Sequence, residues 1–405
     1  MRSFLRAALL ASLLALPVVS TPQGTQTRLQ RLQAAVASNP SDSASLFFLA
    51  REEAGAGDAK AAAASLRKLA TMADGYLPPR ADGFEKVWSD PQVTQAVQAL
   101  EAKLPRLDFA PVAFTVDDPG LIPEGLAYDP QAQAFYLGSI AEHRIMRIDA
   151  QQHITEFAGA AADLDSVLGL AVDSPRHTLY AVSTSALTAK GREHPRNQVV
   201  AFDLITGTLV RRYEAPLAAQ LNDVTVAFGG RAYVTDSGSG QVFELQADRP
   251  ARVLVGPGQL RGANGIAASA DGKSLYVAHA TGIALVDTGT GAWKPVVNRT
   301  RENIAAIDGL YQYNGQLIGV ENVTNPGRVI LMRLSHGADE IVEVRTVLSH
   351  HHNQLNEPTT GAVRADTGYF FLLAATGVTH FNEQGRIENL DTLPTATVLK
   401  VLLPR

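Results

Sequence analysis

The spacing of hydrophobic positions changes near residue 109. Before this point, apolar residues recur three and four positions apart, as in Leu29, Leu32 and Val36, which is the period of a helix. After it, short stretches of alternating apolar and polar residues are separated by turns that contain glycine or proline, which predicts strands. The chain is therefore predicted to contain a helical region over 25–105 and a β-rich region over 109–405.

The helical region carries several helix boundary signals. They lie at Asn39-Pro40, at Ser41 or Asp42, at Asp58 and at Asp90-Pro91. Residues 39–74 resemble a single tetratricopeptide unit, although Glu53 stands where such a unit has an aromatic residue. This region could offer a contact surface to a protein partner, or it could be a small helical bundle packed on the β-rich part.

The β-rich region repeats one inner-strand pattern. Each copy is a short apolar strand followed by a turn and a second apolar strand, and the copies are centred on Gly125, Gly169, Asp223, Gly265, Gly309 and Gly361. A period of about 45 residues with several strands per unit is typical of β-propeller blades. The predicted fold class is therefore mainly β, a six-bladed β-propeller preceded by a small all-α domain. Residues 110–116 are expected to close the ring by pairing with the last blade, beside 396–403.

Composition limits the cellular location and the partners. Residues 1–20 have a basic start, a short apolar stretch and small residues before a cleavage point, which predicts a signal peptide; a retained N-terminal anchor is the alternative. The chain has no cysteine, so it cannot form disulfides or thiolate metal sites. These features predict a periplasmic or secreted protein. A net charge of −5 without a Lys/Arg run argues against nucleic acid, and no later segment is long enough to span a membrane.

The residues before the repeated glycine position are the main chemical signal. Because the blades are equivalent, these side chains should surround the mouth of the central channel: Glu124, Leu168, Asn222, Asn264, Asp308 and Thr360. Four of them are oxygen donors, which suits a hard divalent cation, first of all Ca²⁺, with Mn²⁺, Mg²⁺ or Zn²⁺ as alternatives. Asn and Asp before glycine are also common turn residues, so the shared position in the repeat carries the prediction.

These motifs resemble those of the gluconolactonase/regucalcin (senescence marker protein-like) six-bladed propellers. The resemblance rests on Pro123-Glu124-Gly125, Asn222-Asp223, Asn264-Gly265 and Asp308-Gly309. It implies that Glu124, Asn264 and Asp308 bind a divalent metal directly and that Asn222 is a ligand or a substrate contact. It also implies hydrolysis of lactones or related esters. Gln220 stands where sugar-lactone hydrolases of this family tend to have an arginine, which disfavours an acidic sugar lactone as the substrate.

Several residues are candidates for the general base of such a hydrolysis. Asp308 is the candidate implied by the resemblance, and Asp223 is the second. Histidine suits this role near neutral pH, and His279 ends a second strand on the same face. Further histidines expected on that face are His143, His194 and the triplet 350–352. Two long loops, 183–198 and 350–358, could be lids or binding loops, or could be neutral surface variation.

Two functions fit these observations. The first is an exported, metal-dependent hydrolase of a small-molecule lactone or ester. The second is a non-catalytic propeller whose cation only holds the channel together, and which binds a protein partner through its loops and helical domain. The fold alone does not decide between them, because propellers serve both uses.

Overall fold

The computed structural model describes residues 26–118 and 120–404. The predicted signal peptide, 1–20, lies outside the described residues. Strands outnumber helices, and the helices are concentrated before residue 102. None of the helices in the described part of the chain is long and apolar enough to cross a membrane.

Within the described residues, four helices precede the strands, as the apolar spacing predicted. They are α1 (Arg28–Ser38), α2 (Ser43–Gly55), α3 (Ala59–Met72) and α4 (Pro91–Glu101). Asp42, Asp58 and Asp90 each cap a helix by accepting a backbone N–H in its first turn, which confirms the predicted starts. Helices α2 and α3 form a packed pair where the tetratricopeptide unit was predicted, so that resemblance holds in part.

The strands of the described residues form six sheets, which are numbered here as blades in chain order. Blade 1 contains β2 (Pro123–Asp129), β3 (Ala134–Ser139), β4 (Ile145–Ile148) and β5 (Ile154–Ala158). Blade 2 contains β6 (Ser166–Asp173), β7 (Thr178–Thr184), β8 (Asn197–Asp203) and β9 (Leu209–Glu214), with the short helix α5 (Ala189–Glu193) in its long loop. Blade 3 contains β10 (Leu221–Val226), β11 (Ala232–Asp236), β12 (Gln241–Glu244) and β13 (Arg252–Val255).

The remaining blades follow the same antiparallel order. Blade 4 contains β14 (Ile266–Ala268), β15 (Ser274–His279), β16 (Gly282–Asp287) and β17 (Trp293–Pro295). Blade 5 contains β19 (Ile307–Tyr313), β20 (Gln316–Glu321), β21 (Arg328–Leu334) and β22 (Glu340–Leu348), and the short β18 (Val297–Asn298) pairs with β22 in parallel. Blade 6 contains β23 (Gly361–Arg364), β24 (Tyr369–Ala375) and β25 (Ala396–Leu402).

The ring closes through the strand that precedes the first blade. Strand β1 (Val112–Val116) pairs antiparallel with β25 and becomes the outermost strand of blade 6, with Val116 opposite Ala396. This confirms the predicted closure. Hydrogen bonds between the two ends of the β-rich chain leave no gap between the first and last blades. The predicted six-bladed propeller with a preceding all-α part is confirmed.

The helices pack on the face of the propeller where the inner strands begin. Their apolar core includes Ala280, which follows β15, and Ala306 and Val323, which flank β19 and β20. The backbone N–H of Leu77 donates to the carbonyl of Thr324 at 2.9 Å. Burial of apolar surface stabilises a fold by roughly 25 cal/mol per Å². The apolar contact between the helices and the propeller is therefore part of the folded core. The helical region therefore covers the channel face beside blades 4 and 5.

Candidate functional site

A β-bulge occurs at the pre-glycine position of most inner strands. The register of β2, β6, β10 and β19 against the second strand shifts between Pro123 and Leu126, Val167 and Leu170, Leu221 and Val224, and Ile307 and Leu310. A bulge adds one residue to a strand and changes the direction of the side chain at that point. In the other two blades, β14 and β23 begin only after this position. All six pre-glycine residues are buried, which agrees with a ring around the axis.

Glu124 is the unusual member of this ring. Its side chain is 1% exposed, and neither carboxylate oxygen has a hydrogen-bond partner. Its backbone carbonyl, in contrast, accepts hydrogen bonds from the hydroxyls of Thr359 and Thr360. Burial, together with the charges of Asp308 and Asp223, raises the pKa of the Glu124 carboxyl well above its usual value. A buried carboxylate without a partner is costly, and a bound cation would remove that cost.

Asp308 is held by two amide side chains. Asn264 Nδ2 donates to its Oδ1 at 2.8 Å, and Asn322 Nδ2 donates to its Oδ2 at 2.5 Å. Burial raises the pKa of the Asp308 carboxyl, while these two hydrogen bonds favour the ionised form and oppose the increase. Because Asn264 donates this hydrogen bond through its amide nitrogen, its amide oxygen remains available to bind a ligand.

Asn222 and Asp223 occupy neighbouring positions but have different partners. Asn222 Nδ2 donates to Ser237 Oγ at 2.9 Å, so its amide oxygen is also left for a ligand. The Asp223 carboxylate accepts the backbone N–H groups of Val224 at 2.8 Å and Ile266 at 3.3 Å. Burial nevertheless raises the pKa of Asp223 to about 7. Asp223 can therefore change its protonation state near neutral pH.

The inner strands enclose a channel cavity of about 290 Å³, and Asp223 and Tyr311 are among its lining residues. Tyr311 Oη accepts the backbone N–H of Gly361 at 2.7 Å. Burial, with the charges of Asp223, Glu124 and Asp308, raises the pKa of Tyr311 well above its usual value, so this phenol stays protonated. A protonated phenol among buried carboxyls is available as a hydrogen-bond donor.

Gln220 lies two residues before Asn222 and is 4% exposed. Its backbone N–H donates to Asp236 Oδ1 at 2.8 Å, whereas its side-chain Nε2 is buried without a hydrogen-bond partner. The predicted substrate-binding role of Gln220 stays a prediction. An unpaired buried amide is a neutral donor, so it would suit a carbonyl or hydroxyl group better than an acid.

The structure does not bring His279 together with the other predicted residues. His279 lies between the helices and blade 4, where it borders two cavities of about 440 and 460 Å³ whose lining residues include none of the predicted metal ligands. Its Nε2 is buried without a hydrogen-bond partner, and burial alone lowers the pKa of its imidazole to about 4. Its proposed catalytic role stays a prediction, but no described contact links it to the carboxyl groups.

The other histidines on this face are also apart from the ring. His194, at the end of α5, and His143 are both exposed. His352 Nε2 bonds to the carbonyl of Ala110 at 2.9 Å. The loop 350–358 does reach the site, because the carbonyl of Pro358 accepts a hydrogen bond from Asn322 Nδ2.

Three site residues were missed by the sequence reasoning. Asn322 and Ser237 come directly after the second strands of blades 5 and 3, and each supports the pre-glycine residue of its own blade. His279 was predicted because it ends a second strand. Comparison of the same position in the other blades could have identified both residues. Tyr311 gave a weaker signal, since an aromatic residue on an inner strand is common in any core.

The donor set fits a divalent cation. Glu124 offers two unpaired oxygens, Asp308 offers a carboxylate, and Asn222 and Asn264 offer amide oxygens. Oxygen donors of this kind are the ligands of Ca²⁺ and similar hard cations. The predicted metal-binding roles of these four residues stay predictions, and the electrostatics of the site supports them.

Residues 122–281 match the family model described as SMP-30/Gluconolactonase/LRE-like region, which confirms the resemblance over that segment. The segment contains Glu124, Asn222 and Asn264, ends before Asp308, and covers less than half of the 405 residues. A comparison with curated proteins found no match.

Three of the solved structures that match this chain have a similar fold. A PQQ-bound aldose sugar dehydrogenase from Streptomyces coelicolor is 16% identical, with 74% of this chain and 99% of that one covered and a TM-score of 0.49. A gluconolactonase from Xanthomonas campestris is 17% identical, with 74% and 91% covered and a TM-score of 0.48. A catalytically inactive virginiamycin B lyase from Staphylococcus aureus with quinupristin is 13% identical, with 72% and 98% covered and a TM-score of 0.49. Similarities with such low sequence identities and TM-scores do not indicate the activity of this chain.

Proposed function

We propose that the protein is an exported hydrolase of lactones or related esters that uses a divalent cation held at the mouth of its central channel. The observation that carries this proposal is the Glu124 carboxylate, which is buried, lacks any hydrogen-bond partner and lies within reach of the charges of Asp308 and Asp223. The family model matched by residues 122–281 includes gluconolactonases by its description.

Glu124, Asn264 and Asp308 would hold the cation, and Asn222 would be a fourth ligand or a substrate contact. Ca²⁺ is the first choice, because the set contains only oxygen donors. A divalent cation bound there would polarise the carbonyl group of the substrate and increase the acidity of a bound water.

The residues of the chain supply orientation and proton transfer. Asn264 and Asn322 hold the Asp308 carboxylate in one orientation, so that it can accept a proton from the attacking water. Asp223, with a pKa of about 7, is the second candidate for this base. The free Nε2 of Gln220 can donate to an uncharged polar group of the substrate. This arrangement favours neutral lactones and esters over acidic sugar lactones.

A non-catalytic role is the second candidate, and one observation favours it. The helices pack against Ala280, Ala306 and Val323 beside the channel mouth, so part of the face that a substrate would cross is already covered. In this alternative the cation only stabilises the propeller, and a protein partner binds the helices and the face loops.

A substrate panel with and without chelator separates the two functions. Purified protein is assayed on neutral lactones, sugar lactones and aryl esters, with Ca²⁺ or Mn²⁺ added back after EDTA treatment. We expect hydrolysis that needs the cation and is lost by at least about a hundredfold in Asp308→Ala, since a proton acceptor typically contributes 10²–10⁴-fold. The matched control is Asp271→Ala, an exposed acid in a turn of blade 4.

The same panel identifies the wrong hypothesis. Calcium-dependent thermal stabilisation without turnover of any substrate would support the non-catalytic propeller. If no divalent cation changes the melting temperature, and Glu124→Ala has no effect on it either, the proposed cation site does not exist.

A further inference from the structure

A second group of ligand-type side chains lies where the helices meet the last blade. Glu101 is the final residue of α4, and His350 and His351 follow β22 in the loop that enters blade 6. One ligand atom from each of the three lies within 4.8 Å of the others. His350 Nε2 is 3.5 Å from Glu101 Oε1, and the two imidazole ring centres are 4.0 Å apart.

The nitrogen atoms of this group are free to bind a ligand. His350 is 13% exposed at its side chain, and both of its ring nitrogens are buried without a hydrogen-bond partner. His351 shares its Nδ1 with Ser349 Oγ at 3.0 Å, which leaves its Nε2 available. Metals bind imidazole through a ring nitrogen in its neutral form.

The surrounding backbone is fixed by hydrogen bonds to the segment that joins α4 to β1. The N–H of Ser349 donates to the carbonyl of Leu107 at 2.8 Å, and the N–H of Leu107 donates to Ser349 Oγ at 3.1 Å. His352 bonds to the carbonyl of Ala110. The two histidines therefore lie on a loop that hydrogen bonds hold in place beside the Glu101 carboxylate. This reduces the entropy that is lost when the ligands are ordered around a metal ion.

We infer that Glu101, His350 and His351 form a second metal site that binds Zn²⁺ or a similar transition-metal ion and joins the helices to the propeller. Two imidazoles and one carboxylate suit Zn²⁺ and leave a coordination position for water. The oxygen ligands of the channel suit Ca²⁺ instead, so the two sites would differ in metal preference. This inference does not depend on the proposed hydrolase function.

The site would also restrain the loop that supports the channel residues. The loop runs from His350 to Pro358, whose carbonyl accepts a hydrogen bond from Asn322, and Asn322 binds Asp308. A metal ion bound at His350 would restrain the start of the loop, and the hydrogen bond from Asn322 to Pro358 restrains its end. Zn²⁺ is therefore expected to stabilise the contact between the helices and blade 6.

Untagged full-length protein, freed of metal, tests this site by titration with Zn²⁺ and with Co²⁺ as a visible probe. We expect one Co²⁺ to give the absorption of a nitrogen- and oxygen-ligated ion and to be displaced by Zn²⁺. Glu101→Gln and His351→Ala should each weaken binding by at least about tenfold, because even outer-sphere changes cost 10–100-fold. His336→Ala, a change of an exposed histidine, is the matched control and should bind like the wild type.

Two results would overturn the inference. One is equal Zn²⁺ affinity and stoichiometry in the wild type, Glu101→Gln and His351→Ala. The other is a Co²⁺ signal that disappears in Asp308→Asn and persists in Glu101→Gln, since the ion would then occupy the channel. Glu101 is 48% exposed, so Glu101→Gln is expected to fold normally, and its melting temperature without metal checks this.

Discussion

At the scale of single residues, the carboxyl group of Glu124 is buried in surroundings that disfavour its charge. Burial, Asp308 and Asp223 all disfavour its ionised form, and no donor compensates. Such a group makes the metal-free protein less stable than its packing allows. A residue that destabilises the free protein and gains stability from a ligand is typical of a binding site, whereas a purely structural acid would have partners.

Glu124→Gln should therefore reverse its effect on stability when the cation is added. In EDTA, the variant should melt at or above the wild-type temperature, because a buried charge has been removed. With Ca²⁺ at about 100 times its dissociation constant, the wild type should gain about 2.7 kcal/mol and the variant should gain little. Differential scanning fluorimetry measures both, with the exposed Glu214→Gln as control. A full calcium response in Glu124→Gln would exclude Glu124 as a ligand.

His279 provides a pH-dependent prediction at the same scale. Burial lowers the pKa of its imidazole to about 4 in the folded protein, against about 6.5 in the unfolded chain. The folded state thus binds fewer protons, so the stabilisation is complete above about pH 6.5 and is lost as the pH falls towards 4. The loss should be at most about 3 kcal/mol, from 1.36 kcal/mol per pKa unit.

His279→Gln should remove this part of the pH dependence, as measured by urea unfolding between pH 4 and pH 8. The exposed His336→Gln should keep the wild-type slope. The same variant tests the catalytic prediction for His279. Retained turnover would show that its place beside the helices, away from the carboxyl groups, also excludes it from the chemistry.

The positions of the candidate site residues were predictable where the repeat determines them. Glu124, Asn222, Asn264 and Asp308 share one position in the blade, and all four are buried in the structure. The contacts of Asn322 and the position of His279 depend on how loops and helices pack on the face, which the repeat does not specify. His279 ends a second strand, and Asn322 directly follows one. Helices nevertheless cover His279, whereas Asn322 binds Asp308.

At the scale of elements, glycine after the bulge lets neighbouring inner strands approach closely. A Cβ atom on Gly125 would lie 2.0 Å from the carbonyl oxygen of Leu168 in blade 2, and one on Gly265 would lie 2.5 Å from that of Asp308 in blade 5. These clashes are with backbone, so they require the strands to separate. The recurring glycine is therefore explained by contact between blades at the channel.

Gly125→Ala should destabilise the protein by about 3 kcal/mol, because an added carbon in a packed site typically costs 1–3 kcal/mol. Gly55→Ala is the matched control, since Gly55 lies at the end of α2 and an added Cβ there meets no atom closer than 3.8 Å. That change should be neutral or stabilising by up to about 1 kcal/mol. Urea unfolding of both variants measures the difference, and equal stabilities would contradict the proposed role of glycine.

The elements themselves were largely predictable. Capping residues located the helices, and the alternating pattern with turns located the blades and the closing strand. The bulges and the parallel strand β18 were not predicted. Both depend on pairing geometry between strands that are distant in sequence, which hydrophobic spacing does not encode.

At the scale of the whole molecule, a buried ion pair within blade 5 lies against the helical region. Arg328 and Glu321 are 1% and 0% exposed at their side chains, and Arg328 Nε donates to Glu321 Oε2 at 2.5 Å. The guanidinium also donates to the carbonyl of Asn303 and lies against Gly75, on the segment that follows α3. The helices and the propeller therefore share one buried polar network, and they are expected to unfold together.

Arg328→Met should break this coupling, because it leaves the Glu321 carboxylate buried and unpaired. Loss of one partner of a buried pair costs about 3–5 kcal/mol. The unfolding curve should become biphasic, with the helices melting before the propeller, as followed by helical circular dichroism and by Trp88 and Trp293 fluorescence. Arg328→Met combined with Glu321→Gln should recover part of the loss, since the unpaired charge is gone. Arg333→Met, which breaks the exposed pair with Glu343, should change stability by less than about 1 kcal/mol. A single cooperative transition in Arg328→Met, at wild-type stability, would show that the apolar contact alone holds the two parts together.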